Sequence, residues 1–270
     1  MSLKFTALVP GLPHLLHPIP GSPHVHLSAT MQKLGDVIRD QGVQRILYYS
    51  SQWLSVLGTM VQAKERLSGT HVDPSWHHLG SFDYDMTVDL SLSRQIAQCA
   101  TVAGYSTQLI DYEGFPVDTG TIVANSLINR DNVKVSMISS WLYANYNQIK
   151  DFATVIGAEI AKDPTPTAVI GISSLSGNYF PTDIDPREDR ISASADDEWN
   201  RRIIALCEQG VLSEVDRLAG DYSKQCRVDI DFKVMAFLRG IGAAEGHKRS
   251  ICHGYQPIHG TGAAILEFRP

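Results

Sequence analysis

Apolar residues fall along this chain in two kinds of run: short continuous runs, which predict buried strands, and runs with helical spacing. The predicted strands and extended segments are 3–9, 43–51, 56–63, 106–112, 133–139, 166–174 and 259–268. The predicted helices are 26–42, 91–104, 119–130, 147–162 and, more roughly, 192–210, 211–220 and 229–243. Because strands alternate with helices, the pattern favours a mixed central sheet covered by helices on both faces.

The ends of these elements are predicted from turn and capping residues. Ser28 is the predicted N-cap of the first helix, and Gly42 is its stop. The segment 70–86 is rich in aromatic and turn residues and is predicted to be a long loop, and the stretch before 259 is turn-rich. No linker, repeat or change of composition divides residues 1–270, so we expect a single three-layer α/β domain.

Composition excludes several functional classes. The formal charge is −6, and the longest basic cluster is the short segment 246–250, which argues against a nucleic-acid surface. There is neither a signal-peptide pattern nor an apolar run of about 18 residues, so we expect no membrane association. The four cysteines lack CxxC spacing and are read as reduced thiols of a cytoplasmic protein.

Individual motifs in the sequence do not identify a reaction or a binding site. Four histidines lie within thirteen residues, at 14, 17, 24 and 26, but the HxxH pair at 14 and 17 lies in a Pro-rich loop rather than on one face of a helix. The "WHH" at 76–78 has no partner residues that would complete a zinc site, and the acidic stretch 183–190 is most simply a solvated loop. Neither a GxSxG elbow nor a dinucleotide-binding glycine loop is present.

Six short stretches together are more specific. They are "PHL" (13–15), "SSQWLSVLG" (50–58), "VDPSWHHLGSFDYDM" (72–86), "VDTGTI" (117–122), "SSLSGNYF" (173–180) and "HGTGAAILEF" (259–268). In this order they resemble the LigB-like, class III extradiol dioxygenases, and most of all the two-subunit 2-aminophenol 1,6-dioxygenases. That resemblance implies the LigB-like α/β fold and a family chemistry in which Fe(II), held by two histidines and a carboxylate, opens aromatic rings with O₂.

The resemblance also assigns a role to single positions. His14 stands at the first iron-ligand position, but Gln52 stands where the family has its second histidine. Gly177 takes the place of the acid/base histidine, and Tyr179 replaces a further family histidine. The carboxylate position falls near 225–232, where we favour Arg227; a shifted register would place Asp229 or Asp231 there instead.

Two neighbouring positions complete the expected pocket. Asp118 keeps the family residue of the pocket wall, and Thr119 occupies a position where relatives carry His or Tyr. With the ligand set broken at two positions, the resemblance implies a vestigial pocket without a metal, a catalytic residue or a cofactor of its own. The chain would then be a structural α-type subunit that pairs, as α2β2, with a homologous catalytic β subunit holding Fe(II).

Two other readings stay open. One is an active dioxygenase with rearranged ligands: His14, Asp229 or Asp231, and one of His24, His26 or His78. The other is a protein that binds an aromatic ligand in the vestigial pocket without metal. For a subunit, the segments 70–86 and 175–185 are candidate interface regions.

Overall fold

The computed structural model describes residues 2–270, which build a sheet of eight strands and a separate hairpin. The strands are β1 (Leu3–Val9), β2 (Arg45–Ser55), β3 (Thr59–Gln62), β4 (Arg66–His71), β5 (Phe82–Thr87), β6 (Thr107–Ile110), β7 (Lys134–Trp141), β8 (Thr167–Ile172), β9 (Arg249–Ile258) and β10 (Thr261–Arg269). The helices are α1 (His24–Asp40), α2 (Leu90–Val102), α3 (Thr119–Ile128), α4 (Tyr146–Lys162), α5 (Ser194–Glu208), α6 (Leu212–Cys226) and α7 (Lys233–Ile241).

The large sheet has the strand order β6-β3-β7-β2-β8-β1-β10-β9. Its centre, β7-β2-β8-β1, is parallel, whereas β3 runs antiparallel to β7, and β10 antiparallel to β1 and β9. The carboxyl ends of β1, β2 and β8 therefore meet at one edge of the sheet, which is where open α/β sheets gather functional groups.

Successive side chains of the central strands point to opposite faces of the sheet and pack in two separate hydrophobic cores. In β2, Tyr48 packs with the core under α1, α3 and the β4–β5 hairpin, whereas Tyr49 packs with the core under α2, α4, α5, α6 and α7. Both tyrosine side chains are fully buried. The mixed sheet with helices on both faces, predicted from the sequence, is confirmed.

The start of α1 differs from the prediction. The helix begins at His24, and Ser28 is a buried residue inside it rather than its N-cap. Pro23 occupies the N-cap position with φ −61 and ψ −22, so its ring already fixes the backbone near helical values without a side-chain cap. No helix in residues 2–270 has both the length and the apolarity that a membrane crossing requires.

Two predicted irregular segments are strands. The prediction of a loop over 70–86 is wrong, because β4 and β5 pair as an antiparallel hairpin and only 72–81 connects them. The turn-rich stretch before residue 259 is β9, an edge strand. Glycine and proline residues interrupt the alternation of apolar and polar residues that would predict this strand. Pro257 is tolerated because β9 is an edge strand.

The predicted helix over 229–243 begins only at Lys233. Before it, residues Asp229–Phe232 form a short 3-10 turn in which Ile230 and Asp231 have left-handed backbone angles. Arg227, which ends α6, is also left-handed, with φ 48. This irregular turn decides which side chain of the 225–232 segment faces the carboxyl edge of the sheet.

Candidate functional site

A cavity of about 410 Å³ lies at the carboxyl edge of the sheet. Its wall comes from the ends of β1 and β2, the β4–β5 connection, the start of α3, and the segments after β8 and α6. The lining residues are Leu12, Ser51, Gln52, His71, Asp73, Pro74, Ser75, Trp76, Asp118, Thr119, Tyr179, Asp229 and Ile230. The structure thus brings four of the seven predicted pocket residues to one cavity: Gln52, Asp118, Thr119 and Tyr179. Asp229, the alternative to Arg227, also lines it.

One wall is tied together by a hydrogen-bonded chain through Thr119. Its hydroxyl donates to Asp73 Oδ2 at 2.5 Å and lies 2.7 Å from His71 Nε2. Asp73 also accepts the backbone N–H groups of Ser75 and Trp76, at 2.8 and 2.9 Å. Since His71 and Asp73 belong to the hairpin and Thr119 opens α3, this chain fixes the β4–β5 connection over the cavity.

Asp118 and Gln52 hold the backbone at the start of α3. Asp118 caps the helix by accepting the Thr121 N–H at 3.0 Å, and it also accepts the Ser50 hydroxyl at 2.7 Å. Gln52 Oε1 accepts the Gly120 N–H at 2.7 Å. The amide oxygen at the position of the family's second histidine therefore serves the protein backbone.

Gly177 does not reach the cavity. Its N–H donates to the Cys226 carbonyl, and a Cβ at this position would lie 2.2 Å from the Arg227 carbonyl oxygen. Any side chain here, including the family's histidine, would collide with backbone. Tyr179, two residues on, does line the cavity. Desolvation, together with the charges of Asp229 and Asp73, raises the pKa of its phenol.

Asp229, not Arg227, faces the cavity in the 225–232 segment. Arg227 is exposed and does not line the cavity, so the prediction that Arg227 belongs to the pocket is wrong. The left-handed turn after α6 rotates the next residues inward. Asp229 Oδ2 accepts the hydroxyls of Ser51 at 3.1 Å and Ser173 at 3.5 Å, and burial raises the pKa of this carboxyl.

His14 lies outside the cavity lining, in a buried cluster with two other histidines. Its ring centroid is 5.5 Å from that of His24 and 6.1 Å from that of His259. Trp76, which does line the cavity, packs edge-on against His14 at 4.6 Å and His259 at 4.7 Å. Trp76 therefore stands between the cavity and the first family ligand position.

The cluster is anchored by Asp189, whose side chain is 1% exposed. Its oxygens accept from His24 Nε2 at 2.8 Å and from the backbone N–H groups of His259 and Gly260 at 2.5 and 3.1 Å. Burial disfavours the charge, yet these bonds hold the Asp189 pKa below its usual value. The prediction of a solvated loop over 183–190 is wrong at this residue.

His14 has no such anchor. Its buried Nδ1 has no hydrogen-bond partner. Burial, followed by the positive charges that His24 and His259 would carry, lowers the pKa of His14 to about 3. The imidazole is therefore neutral at physiological pH.

These residues do not fit a two-histidine, one-carboxylate iron centre. Gln52 offers a neutral amide oxygen already bonded to Gly120, and His14 is packed behind Trp76. Within residues 2–270, no three His, Cys, Asp or Glu side chains are arranged to hold a metal ion. The rearranged ligand set is not assembled either, because His26 and His78 are exposed and His24 is committed to Asp189.

Residue-by-residue inspection missed His71, Asp73 and Trp76. One local signal exists for Asp73, because the sequence Asp73-Pro74-Ser75 is typical of a turn in which the aspartate side chain accepts backbone N–H groups further along. In the structure Asp73 accepts the N–H groups two and three residues on. The contact of His71 with Thr119, 48 residues away, has no such signal.

Comparison with known proteins places this geometry in a family. The chain is 35% identical over 263 residues to "2-aminophenol 1,6-dioxygenase alpha subunit" from a Pseudomonas species, covering 93% of this chain and 96% of that protein. It is 24% identical over 235 residues to "2-aminophenol 1,6-dioxygenase beta subunit" from a Pseudomonas species, covering 83% and 77% of the two chains. No family model matches the chain.

A solved structure shares the fold. It is that of the uncharacterized protein JW3007 from Escherichia coli K12, with a TM-score of 0.67, 14% identity, and coverage of 98% of this chain and 100% of that one. The identity is too low to carry more than the fold. The relationship to the Pseudomonas α subunit, by contrast, spans nearly the whole of both chains, and the chain belongs to the LigB-like extradiol dioxygenase family, among the 2-aminophenol 1,6-dioxygenase subunits.

Proposed function

We propose that this chain is the iron-free α-type subunit of a heteromeric 2-aminophenol 1,6-dioxygenase of the cytoplasm. Its partner is a homologous β subunit that holds Fe(II), in an α2β2 assembly that converts 2-aminophenols and O₂ to 2-aminomuconic semialdehydes. Support comes from the relatives, one named as the α subunit and one as the β subunit of such an enzyme.

The observation that carries the iron-free role is the Gln52 amide at the second ligand position, because its oxygen already accepts the Gly120 N–H at 2.7 Å. At the acid/base position, a histidine could donate or accept a proton, but the Arg227 carbonyl occupies the space that a Cβ at Gly177 needs. In the proposed enzyme, the chemistry therefore belongs to the β subunit, and this chain stabilises that subunit.

An exposed apolar cluster suits such a partner. It lies where β2 and β7 end, with backbone contacts between Ser55 and Leu142, and consists of Leu54, Val56, Leu57, Leu142 and Tyr143. Leu57 and Tyr143 are 73% and 72% exposed. The segment 53–62 carries no charged residue, and depletion of charge with exposed aromatic and aliphatic groups is typical of interface cores.

The test is co-expression with a homologous iron-bearing β chain. We expect a stable complex with one iron per αβ pair, and the same iron content and turnover, within about two-fold, when His14→Gln is introduced here. We expect no turnover from this chain alone after anaerobic reconstitution with Fe²⁺. Stoichiometric iron and ring cleavage by the isolated chain would instead establish the rearranged active site.

The partner surface is tested separately. Leu57→Asp should prevent co-purification with the β chain, because it places a charge in the apolar cluster. Val37→Asp is the matched control: Val37 is 39% exposed on α1, a helix that packs against α3 and β9 rather than at the ends of β2 and β7, and the complex should survive it. If Leu57→Asp leaves the complex intact, this cluster is not the interface.

A further inference from the structure

The cavity is negatively charged along its wall. Asp73, Asp118 and Asp229 all line it, whereas neither Lys nor Arg is among its lining residues in the described part of the chain. The described lining thus supplies no cation to these carboxylates, and anionic ligands are disfavoured by Coulomb repulsion.

The three carboxylates are not equally satisfied. Asp73 accepts two backbone N–H groups and the Thr119 hydroxyl, and Asp118 accepts a helix N–H and two hydroxyls. Asp229 accepts two hydroxyls, both on Oδ2, at the long distances of 3.1 and 3.5 Å. The Ser174 backbone N–H also donates to it, but the long hydroxyl contacts leave Asp229 the least closely hydrogen-bonded of the three, and burial raises the pKa of this carboxyl.

Two aromatic rings stand on the same wall. The ring centroids of Trp76 and Tyr179 are 5.9 Å apart with an interplanar angle of 48°, and both residues line the cavity. Tilted aromatic faces beside a carboxylate are the usual recognition pattern for an organic cation, because the rings attract positive charge and also cover an apolar body.

We propose that this cavity binds an organic ammonium ion, with its charged nitrogen at Asp229 and its apolar part against Trp76 and Tyr179. The volume of about 410 Å³ suits a small aromatic or aliphatic amine. The site needs no metal and uses only residues of this chain. The proposed binding site therefore goes beyond the subunit role, and its test does not depend on that role.

Three probes of one size and different charge test the proposal: benzylammonium, benzyl alcohol and benzoate. With the purified full chain at neutral pH, titration calorimetry and tryptophan fluorescence should show saturable binding of benzylammonium. The expected affinity is at least ten times that for benzyl alcohol, and benzoate should not bind. Equal affinities for benzylammonium and benzyl alcohol, or preferred binding of benzoate, would overturn the proposal.

Variants locate the site. Asp229→Asn should weaken benzylammonium binding at least ten-fold and leave benzyl alcohol unaffected, whereas Asp83→Asn, at an exposed carboxylate of the β4–β5 hairpin that does not line the cavity, should change neither. If Asp229→Asn does not fold, Tyr179→Leu should still weaken the ammonium more than the alcohol. An unchanged preference for benzylammonium in both folded variants would place the cation elsewhere and contradict the assignment.

Discussion

Two polar regions meet at Trp76 and differ in how their charges are satisfied. The cavity is open and carries carboxylates on side chains that hold the surrounding loops. The histidine cluster of His14, His24 and His259 is closed, and its charge is concentrated on one buried carboxylate, Asp189. Between them, the two regions hold His14, Gln52 and Asp229, positions at which the sequence resemblance expects one iron centre. In this chain Trp76 keeps them apart.

The two regions differ in what holds their side chains. On the cluster side, the ring of His14 is held by packing against Trp76, and its imidazole stays neutral. On the cavity side, Gln52 and Asp118 are retained for the start of α3. The cluster thus depends on ring packing and on one buried carboxylate, whereas the cavity wall depends on hydrogen bonds to backbone, and the following substitutions test these two dependences.

The largest effect is expected in the cluster. Asp189→Asn should lower the free energy of unfolding by about 3–5 kcal/mol, because it removes the one buried charge that accepts from His24, His259 and Gly260. Urea unfolding at neutral pH measures this. Asp40→Asn, at a side chain that is 75% exposed, should stay within about 0.5 kcal/mol. Equal effects of the two substitutions would mean that Asp189 is not the anchor of the cluster.

A smaller effect is expected beside the cavity. Gly177→Ala should cost about 1–3 kcal/mol, because its Cβ would meet the Arg227 carbonyl at 2.2 Å and the turn that presents Asp229 would have to shift. Gly220→Ala is the matched control: it lies inside α6, with nothing near an added Cβ, and should stabilise by about 0.5–1 kcal/mol. Thermal and urea unfolding of both variants measure the contrast. A neutral Gly177→Ala would show that the acid/base position is not closed by backbone.

The sequence predicts the sheet better than the site. Continuous apolar runs identify β1, β2, β7 and β8 because both faces of these strands are buried, and that pattern needs no knowledge of tertiary contacts. The β4–β5 hairpin was missed since one of its strands, Arg66–His71, is mostly polar and exposed. Its stability comes from the partner strand and from contacts with α3.

The site residues show the same limit. The positions of Gln52, Asp118 and Thr119 follow strand and helix ends, which the pattern predicts, and these residues do line the cavity. The resemblance favours Arg227 over Asp229 at the carboxylate position, whereas in the structure a left-handed turn after α6 brings the Asp229 side chain to the cavity. A left-handed backbone conformation is uncommon at a residue other than glycine, and no local pattern in the sequence predicts it here.

The last expected effect concerns the pH dependence of the free energy of unfolding, to which the histidine cluster contributes through His14. The unfolded chain protonates His14 near the ordinary pKa of about 6.5, whereas the native imidazole, buried and beside His24 and His259, protonates only near pH 3. Between these values the unfolded state binds more protons, so native stability falls as the pH is lowered, by at most about 1.4 kcal/mol per pH unit from this group. His14→Gln should remove that part of the slope between pH 6 and pH 4, measured by urea unfolding.

His17→Gln is its control, because His17 is an exposed histidine three residues away, and its slope should match that of the unsubstituted chain. Burial lowers the pKa of His247 to about 4, so this residue adds a slope of the same sign. It is present in all three proteins, and the difference between them reports His14 alone. An unchanged slope in His14→Gln would mean that the cluster admits a proton in the native state, and that Trp76 does not seal it from the cavity.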